Sequence, residues 1–164
     1  GVSIGTTNYR FAGVRITAGS SEQTRVKSIS WNQTGSAGSG DLVNVMTYVD
    51  GTAYPTTVSS DGKYYTAVFG SGIVIDKGLS KDFYVQGDIV GTSAASRTIE
   101  MDIYKATDVN VTGETYGYGI TPTAPTTATA SDNSEFTTVT PFYSASKITA
   151  SAGSATSIQK SIIF

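Results

Sequence analysis

Arg97-Thr98-Ile99-Glu100-Met101-Asp102-Ile103-Tyr104 is the clearest structural pattern in the chain. Its apolar residues Ile99, Met101 and Ile103 alternate with polar ones. A period of two is typical of a β-strand with one face on a core and the other in water. We therefore expect an antiparallel β protein in which Glu100 and Asp102 face solvent.

Similar segments recur along the first 120 residues, separated by Gly, Ser and Asp turns, and no apolar stripe of helical period interrupts them. Asp50-Gly51 and Asp61-Gly62 predict type I′ hairpin turns, because these residues tolerate positive φ. Gly13 predicts a β-bulge. The predicted strands are 9–18, 24–33, 42–49, 52–54, 63–69, 83–90, 97–104, 109–112 and 116–120.

Nine or so short strands in one chain favour an antiparallel β-sandwich, either immunoglobulin-like or jelly-roll, with a closed barrel as the alternative. We divide the 164 residues into an N-terminal extension (1–8), a sandwich body (9–120), a Thr/Pro/Ala-rich connector (121–141) and a C-terminal strand segment (142–164). The connector could extend to roughly 60–70 Å at about 3.3 Å per residue.

Both termini carry short apolar stretches that resemble strands. Val2 and Ile4 alternate with Ser3 at one end. The other end is an apolar strand over 157–164, which includes Ile158, Ile162, Ile163 and Phe164. Such segments must dock on a sheet, either that of their own chain or that of another subunit. Both are therefore candidate donor strands.

Composition excludes several classes of function. Cysteine and histidine are absent, which removes disulfides, the usual general base and the commonest transition-metal ligands. A net charge of -2 provides no basic field for nucleic acid, and no apolar stretch is long enough to span a bilayer. Abundant Thr, Ser, Gly and Tyr favour a secreted or cell-surface protein.

Nothing in the sequence predicts an enzyme, and we expect no catalytic site and no cofactor. Glu100 and Asp102 have the i, i+2 spacing of a carboxylate pair, but the solvent face of a strand explains them better. Calcium is the one metal left open, held by loop carboxylates, although aspartates are also common in turns for their own backbone contacts. The candidate ligands are Asp41, Asp76, Asp82, Asp108 and Asp132.

Aromatic residues and glycosylation sequons give two further hypotheses. An outward-facing set of aromatics could stack on carbohydrate, although packing explains most of them better. Asn32-Gln33-Thr34 and Asn110-Val111-Thr112 are candidate N-glycosylation sites. The Thr-rich connector is either O-glycosylated or an unmodified spacer. The aromatics considered are Trp31, Tyr64, Tyr65, Tyr84, Tyr104, Tyr116 and Tyr118.

Residues 11–120 resemble the β-sandwich repeat modules of large secreted and cell-surface proteins, including S-layer-like proteins. The likeness is carried by Arg15-Ile16-Thr17-Ala18, by Arg25-Val26-Lys27-Ser28-Ile29 and by the stretch from Ile73 to Ile89. Within that stretch, Ile75-x-x-Gly78-x-Ser80-x-x-Phe83 is similar to an edge turn that leads into a core strand. The stretch from Ala106 to Gly113 completes the pattern.

A single copy of such a module with strand-like ends resembles extracellular filament and tube subunits that exchange donor strands. The resemblance implies a structural subunit of an extracellular filament, pilus-like fibre, tube or surface layer. Its partners would be copies of itself, with glycans as additional ligands. The alternative is a carbohydrate- or surface-binding module of a larger secreted protein.

Overall fold

A computed structural model describes residues 4–90, 97–122, 142–143 and 147–148. The predicted donor positions Val2 and 157–164, the connector from residue 123 onward and Asp132 lie outside these residues. The prediction of an all-β, antiparallel protein is confirmed. In the described ranges, helical structure is limited to two three-residue 3-10 turns, Ser39–Asp41 and Ala106–Asp108, and no helix there could cross a membrane.

Eleven strands follow one another along the described chain, and two of them, β2 and β3, have the predicted bounds. They are β1 (Tyr9–Thr17), β2 (Thr24–Gln33), β3 (Leu42–Val49), β4 (Thr52–Val58), β5 (Tyr64–Ile75), β6 (Ser80–Ile89), β7 (Ile99–Asp102), β8 (Val109–Gly113), β9 (Gly119–Ile120), β10 (Phe142–Tyr143) and β11 (Lys147–Ile148).

The strands form one antiparallel sheet that curls into a half-barrel. Their order is β10-β1-β6-β3-β4-β5-β2-β7-β11, and β8 pairs with both β2 and β9. Strand β4 turns the corner, because Thr52 to Pro55 pair with β3 whereas Thr56 to Val58 pair with β5. The two halves of the sheet therefore meet at β4, and β1 and β7 lie at the opposite ends of the body.

One of the two predicted type I′ hairpin turns is present in the structure, and the other is not. Asp50 and Gly51 have φ values of 50° and 77°, as a type I′ turn requires. Asp61 lacks positive φ, so the second predicted I′ turn is wrong. Its carboxylate instead accepts hydrogen bonds from the Ser59 hydroxyl and the Lys63 amide, and only Gly62 has positive φ.

The predicted bulge at Gly13 is also wrong. The register between β1 and β6 shifts between Arg10 and Ala12, which makes Phe11 the inserted residue, whereas Gly13 pairs regularly with Tyr84. Phe11 is fully buried. The bulge therefore turns a large aromatic side chain into the core.

The core lies inside the curl and joins strands that are distant in the sheet. Trp31 of β2 is fully buried, and its Nε1 donates to Thr47 Oγ1 of β3 at 2.9 Å, although β4 and β5 lie between those strands in the sheet. Phe69 of β5 packs against Phe83 of β6, with ring centroids 5.5 Å apart. Phe83 is the last residue of the edge-turn pattern in the sequence, and it is fully buried.

Strand β7 departs from its predicted exposure. Ile99 and Met101 belong to the core as expected, but Glu100 and Asp102 are only 8% and 4% exposed. The prediction that these carboxylates face solvent is therefore wrong. Alternation identifies the polar face of a strand, but it cannot tell whether another part of the chain covers that face.

We predict that Trp31→Phe lowers the free energy of unfolding by about 2–4 kcal/mol, since it leaves a cavity and a buried Thr47 hydroxyl without its donor. Urea denaturation measures this loss. Thr47→Val is the matched control, because it should destabilise the native chain more than it destabilises the Trp31→Phe variant. An equal effect of Thr47→Val in both backgrounds would show that the hydrogen bond contributes nothing.

Candidate functional site

The two ends of the body sheet, β1 and β7, each pair with a short strand from the C-terminal segment. Arg15 and Ile16 of β1 lie opposite Tyr143 and Phe142 of β10. Residues 99 and 100 of β7 lie opposite residues 148 and 147 of β11. We call the outer sides of β1 and β7 the acceptor edges.

The two acceptor edges lie close to each other. Tyr143 and Lys147 are four residues apart, so their Cα atoms can be separated by at most about 15 Å. The buried side chains of β1 and β7, including Val14 and Met101, also belong to one core cluster. The curl therefore brings the ends of the sheet to a common seam, and the 142–148 segment has strands on both sides of it.

Both pairings cover only part of an edge. Within the described part of the chain, β10 pairs with two of the nine residues of β1, and β11 pairs with two of the four residues of β7. Each edge therefore pairs with a strand of the C-terminal segment over at least these two residues. Backbone N–H and C=O groups at a sheet edge are the usual template for the addition of a strand.

Strand β7 is positioned by close backbone contact with the loop after β2. The amide of Thr34 donates to the Glu100 carbonyl at 3.0 Å, and that of Ala37 donates to the Thr98 carbonyl at 2.9 Å. Gly35 lies between them, and a Cβ atom there would be 2.1 Å from the Thr98 carbonyl oxygen. Only glycine allows the two backbones to come this close, and their contact fixes the position of β7 against the loop after β2.

Strand β1 is fixed to β6 by the side chains of Arg15, which itself lies opposite β10, and of Thr17. Arg15 Nε and Nη2 donate to the two carboxylate oxygens of Asp82, at 2.7 and 3.0 Å. Two residues further along each strand, the hydroxyls of Thr17 and Ser80 share a hydrogen bond. The bidentate arrangement of Arg15 and Asp82 is the geometry in which guanidinium and carboxylate interact best.

The described part of the N-terminal extension lies on its own sheet. Gly5 and Thr6 exchange backbone hydrogen bonds with Ile89, at 2.7 and 2.9 Å. Asp88 accepts from the Asn8 amide and the Asn44 side chain, both at 2.7 Å, and these bonds lower the pKa of its carboxyl. Of the two N-terminal donor positions, Ile4 is 38% exposed, and Val2 lies outside the described residues.

The aspartates that were candidate calcium ligands are not brought together. Asp41 is buried and bonded to Arg97 and the Gly38 amide, Asp76 accepts from Gln23, and Asp82 binds Arg15. Asp108 accepts from the Lys105 amide, while partial burial raises the pKa of its carboxyl. No three acidic side chains among the described residues form a metal-binding group.

The two sequons differ in accessibility. Asn32 is 8% exposed on β2, between β5 and β7, so its side-chain amide is poorly accessible to glycosylation in the folded chain. Asn110 is exposed on β8. We therefore retain only Asn110 as the proposed acceptor.

The aromatic residues separate into buried and exposed groups. Trp31 and Tyr65 belong to the core, whereas Tyr64, Tyr84 and Tyr104 are partly covered. Tyr65 has a raised pKa, chiefly from burial.

Tyr116 and Tyr118 are 72% and 76% exposed, on the turn between β8 and β9. This turn is braced, because Glu114 pairs with Arg25 at 2.5 Å and Glu22 accepts from the Thr115 amide at 2.9 Å. The bond from Arg25 lowers the pKa of the Glu114 carboxyl. The turn therefore presents two exposed tyrosine side chains from a backbone that these bonds hold in place.

The predicted docking strand, 157–164, lies outside the described residues, and the pairing of 142–143 and 147–148 was not predicted. Both short strands lie in the predicted C-terminal segment. Phe142-Tyr143, which follows Thr137, Thr138 and Val139, has the aromatic and β-branched composition of a strand. That composition is the signal that could have located β10.

We predict that Gly35→Ala lowers the free energy of unfolding by about 3 kcal/mol, because the new Cβ atom would collide with the Thr98 carbonyl. Hydrogen exchange should show the largest loss of protection in β7. Gly40→Ala is the control from the same loop, since nothing lies within 4 Å of its added Cβ, and it should change stability by about 0.5 kcal/mol or less. Equal losses in the two variants would contradict this account of β7.

Searches of protein-family models, of characterised proteins and of solved structures find no match to this chain. The pairing and chemistry of the acceptor edges are therefore the basis for a functional proposal.

Proposed function

We propose that this chain is a structural subunit of an extracellular filament, pilus-like fibre, tube or surface layer. Its subunits would assemble by adding a C-terminal strand to the sheet of a neighbouring copy. The observation that supports this most strongly is the pairing of both acceptor edges with the C-terminal segment, through β10 and β11.

The finer architecture that fits this proposal is a β-sandwich. One layer would contain β1, β6 and β3, the other β5, β2, β7 and β8, and β4 would join them at the corner. The Trp31–Thr47 hydrogen bond and the Phe69–Phe83 contact connect these two layers across the core. The seam between β1 and β7 is then the open side of the sandwich, where an added strand would complete it.

An exchanged strand makes the same contacts whether it comes from its own chain or from another. The connector after Pro122 could extend to roughly 60–70 Å, which exceeds the diameter of a small domain. A strand donated to the next copy, whose own strand goes to a third, makes a head-to-tail contact. Such a contact produces an open polymer when the rotation between successive copies does not close a ring.

The surface chemistry is compatible with an exported polymer. The chain has no cysteine to oxidise, few charges and an exposed sequon at Asn110. Polymerisation also covers acceptor edges that would otherwise be exposed to unintended strand pairing.

Disulfide trapping tests the proposal directly, because the natural chain contains no cysteine. Arg15→Cys with Tyr143→Cys places two thiols at opposed register positions, where the Cα separation of about 4.5–5.5 Å suits a disulfide. After mild oxidation of the full chain, a non-reducing gel should show a ladder of covalent oligomers.

The control is Arg15→Cys with Phe142→Cys, which moves one thiol to the opposite face of β10. It should cross-link far less at the same protein concentration. Cross-linked monomer without any ladder in the Arg15→Cys, Tyr143→Cys chain would contradict strand exchange and indicate a sheet completed by its own tail.

A second candidate function, carbohydrate or surface binding, is favoured by Tyr116 and Tyr118. These rings are mostly exposed although their turn is held by the Arg25–Glu114 ion pair. Rigid aromatics with low ordering cost are typical of binding surfaces.

Under this second proposal, replacing Tyr116 and Tyr118 by alanine should weaken polysaccharide binding about tenfold or more, since two stacking contacts are lost. Retention on immobilised polysaccharides measures the effect, and assembly should be unchanged. Leu79→Ala, which removes another exposed side chain (58%), is the control. Equal retention of all three proteins would contradict the proposal.

A further inference from the structure

The acceptor edge of β7 contains a buried acid in an unusual position. Glu100 is 8% exposed on the last strand at this end of the body, and Asp102 is 4% exposed two residues further on. A buried carboxylate is costly unless it has a charged or hydrogen-bonding partner. Charged residues at a sheet edge also disfavour pairing with an arbitrary apolar strand.

The register of β11 supplies a residue of the opposite charge at this position. Lys147 lies opposite Glu100, and Ile148 lies opposite Ile99. Opposite charges at directly opposed positions of an antiparallel pair are favourable. A slip of one residue would instead place Ser146 or Ile148 opposite Glu100.

We propose that Glu100 is the residue that selects the incoming strand and fixes its register, by pairing with Lys147. The inference rests on the proposed function for one point only, namely that the strand comes from another copy of this chain. The recognition itself requires a strand with a lysine followed directly by an apolar residue, since Ile99 takes the second position and is 1% exposed.

A second lysine in the C-terminal segment, Lys160, could compete with Lys147 for Glu100, and the residue that follows each lysine distinguishes the two. Lys160 lies in the apolar segment 157–164, but Ser161 follows it. With Lys160 opposite Glu100, the antiparallel register would put Ser161 opposite Ile99 in place of Ile148. The match at both positions therefore favours Lys147.

Charge exchange in the full chain tests the inference. Glu100→Lys and Lys147→Glu should each raise the concentration needed for assembly about tenfold or more, because each places like charges at opposed positions. The chain that carries both substitutions should assemble within about twofold of the natural chain. Light scattering and negative-stain microscopy measure assembly.

Mixing separates this inference from the proposed function. In an equimolar mixture of the two single variants, the β7 edge of each variant finds a strand of opposite charge on the other variant, so assembly should recover. If the double variant regains thermal stability while every species stays monomeric and mixing has no effect, the Glu100–Lys147 pairing holds but the filament proposal fails.

Two results would overturn the inference. One is a double variant as impaired as the single variants. The other is recovery of Glu100→Lys by Lys160→Glu instead of by Lys147→Glu. If Glu100→Lys does not fold, Lys147→Arg and Lys147→Gln replace it: the arginine variant should assemble normally and the glutamine variant should not. Normal assembly of Lys147→Gln would also overturn the inference.

Discussion

The rest of the structure depends on one constraint, which is that the backbone N–H and C=O groups on the outer sides of β1 and β7 need hydrogen-bonding partners. Buried peptide groups must be hydrogen-bonded, and the curl of the sheet brings these two edges over one core. The segment 142–148 contributes a short strand to each. The Gly35 contact and the Arg15–Asp82 ion pair hold the same two strands in place.

Local sequence chemistry predicted the parts of the fold that depend on neighbouring residues alone. The Asp50-Gly51 turn and the bounds of β2 and β3 agree with their patterns, because positive φ and apolar alternation are local properties. The bulge at Phe11 and the burial of Glu100 were missed. Both depend on what packs against a strand, and a single strand does not contain that information.

The candidate site was predicted only in outline. The apolar segment 157–164 predicted that a strand must dock, but that segment lies outside the described residues. The pairing of β10 and β11 with β1 and β7 was not predicted, because it depends on the curl of the sheet. The candidate calcium ligands were predicted to share a site, but the fold does not bring the described ones together. Asp41 pairs with Arg97, Asp82 pairs with Arg15, and Asp108 accepts from the Lys105 amide. Acidic residues that suggested a shared cation site in the sequence therefore have separate structural roles.

The central claim is that the strand added to β1 and β7 comes from a neighbouring copy of the chain. Electron cryomicroscopy of the native assembly tests it most directly, by tracing the chain from Pro122 to Phe142. The account predicts density that leaves one subunit after β9 and joins the acceptor edges of the next. Density that returns to the seam of its own subunit throughout the assembly would contradict it.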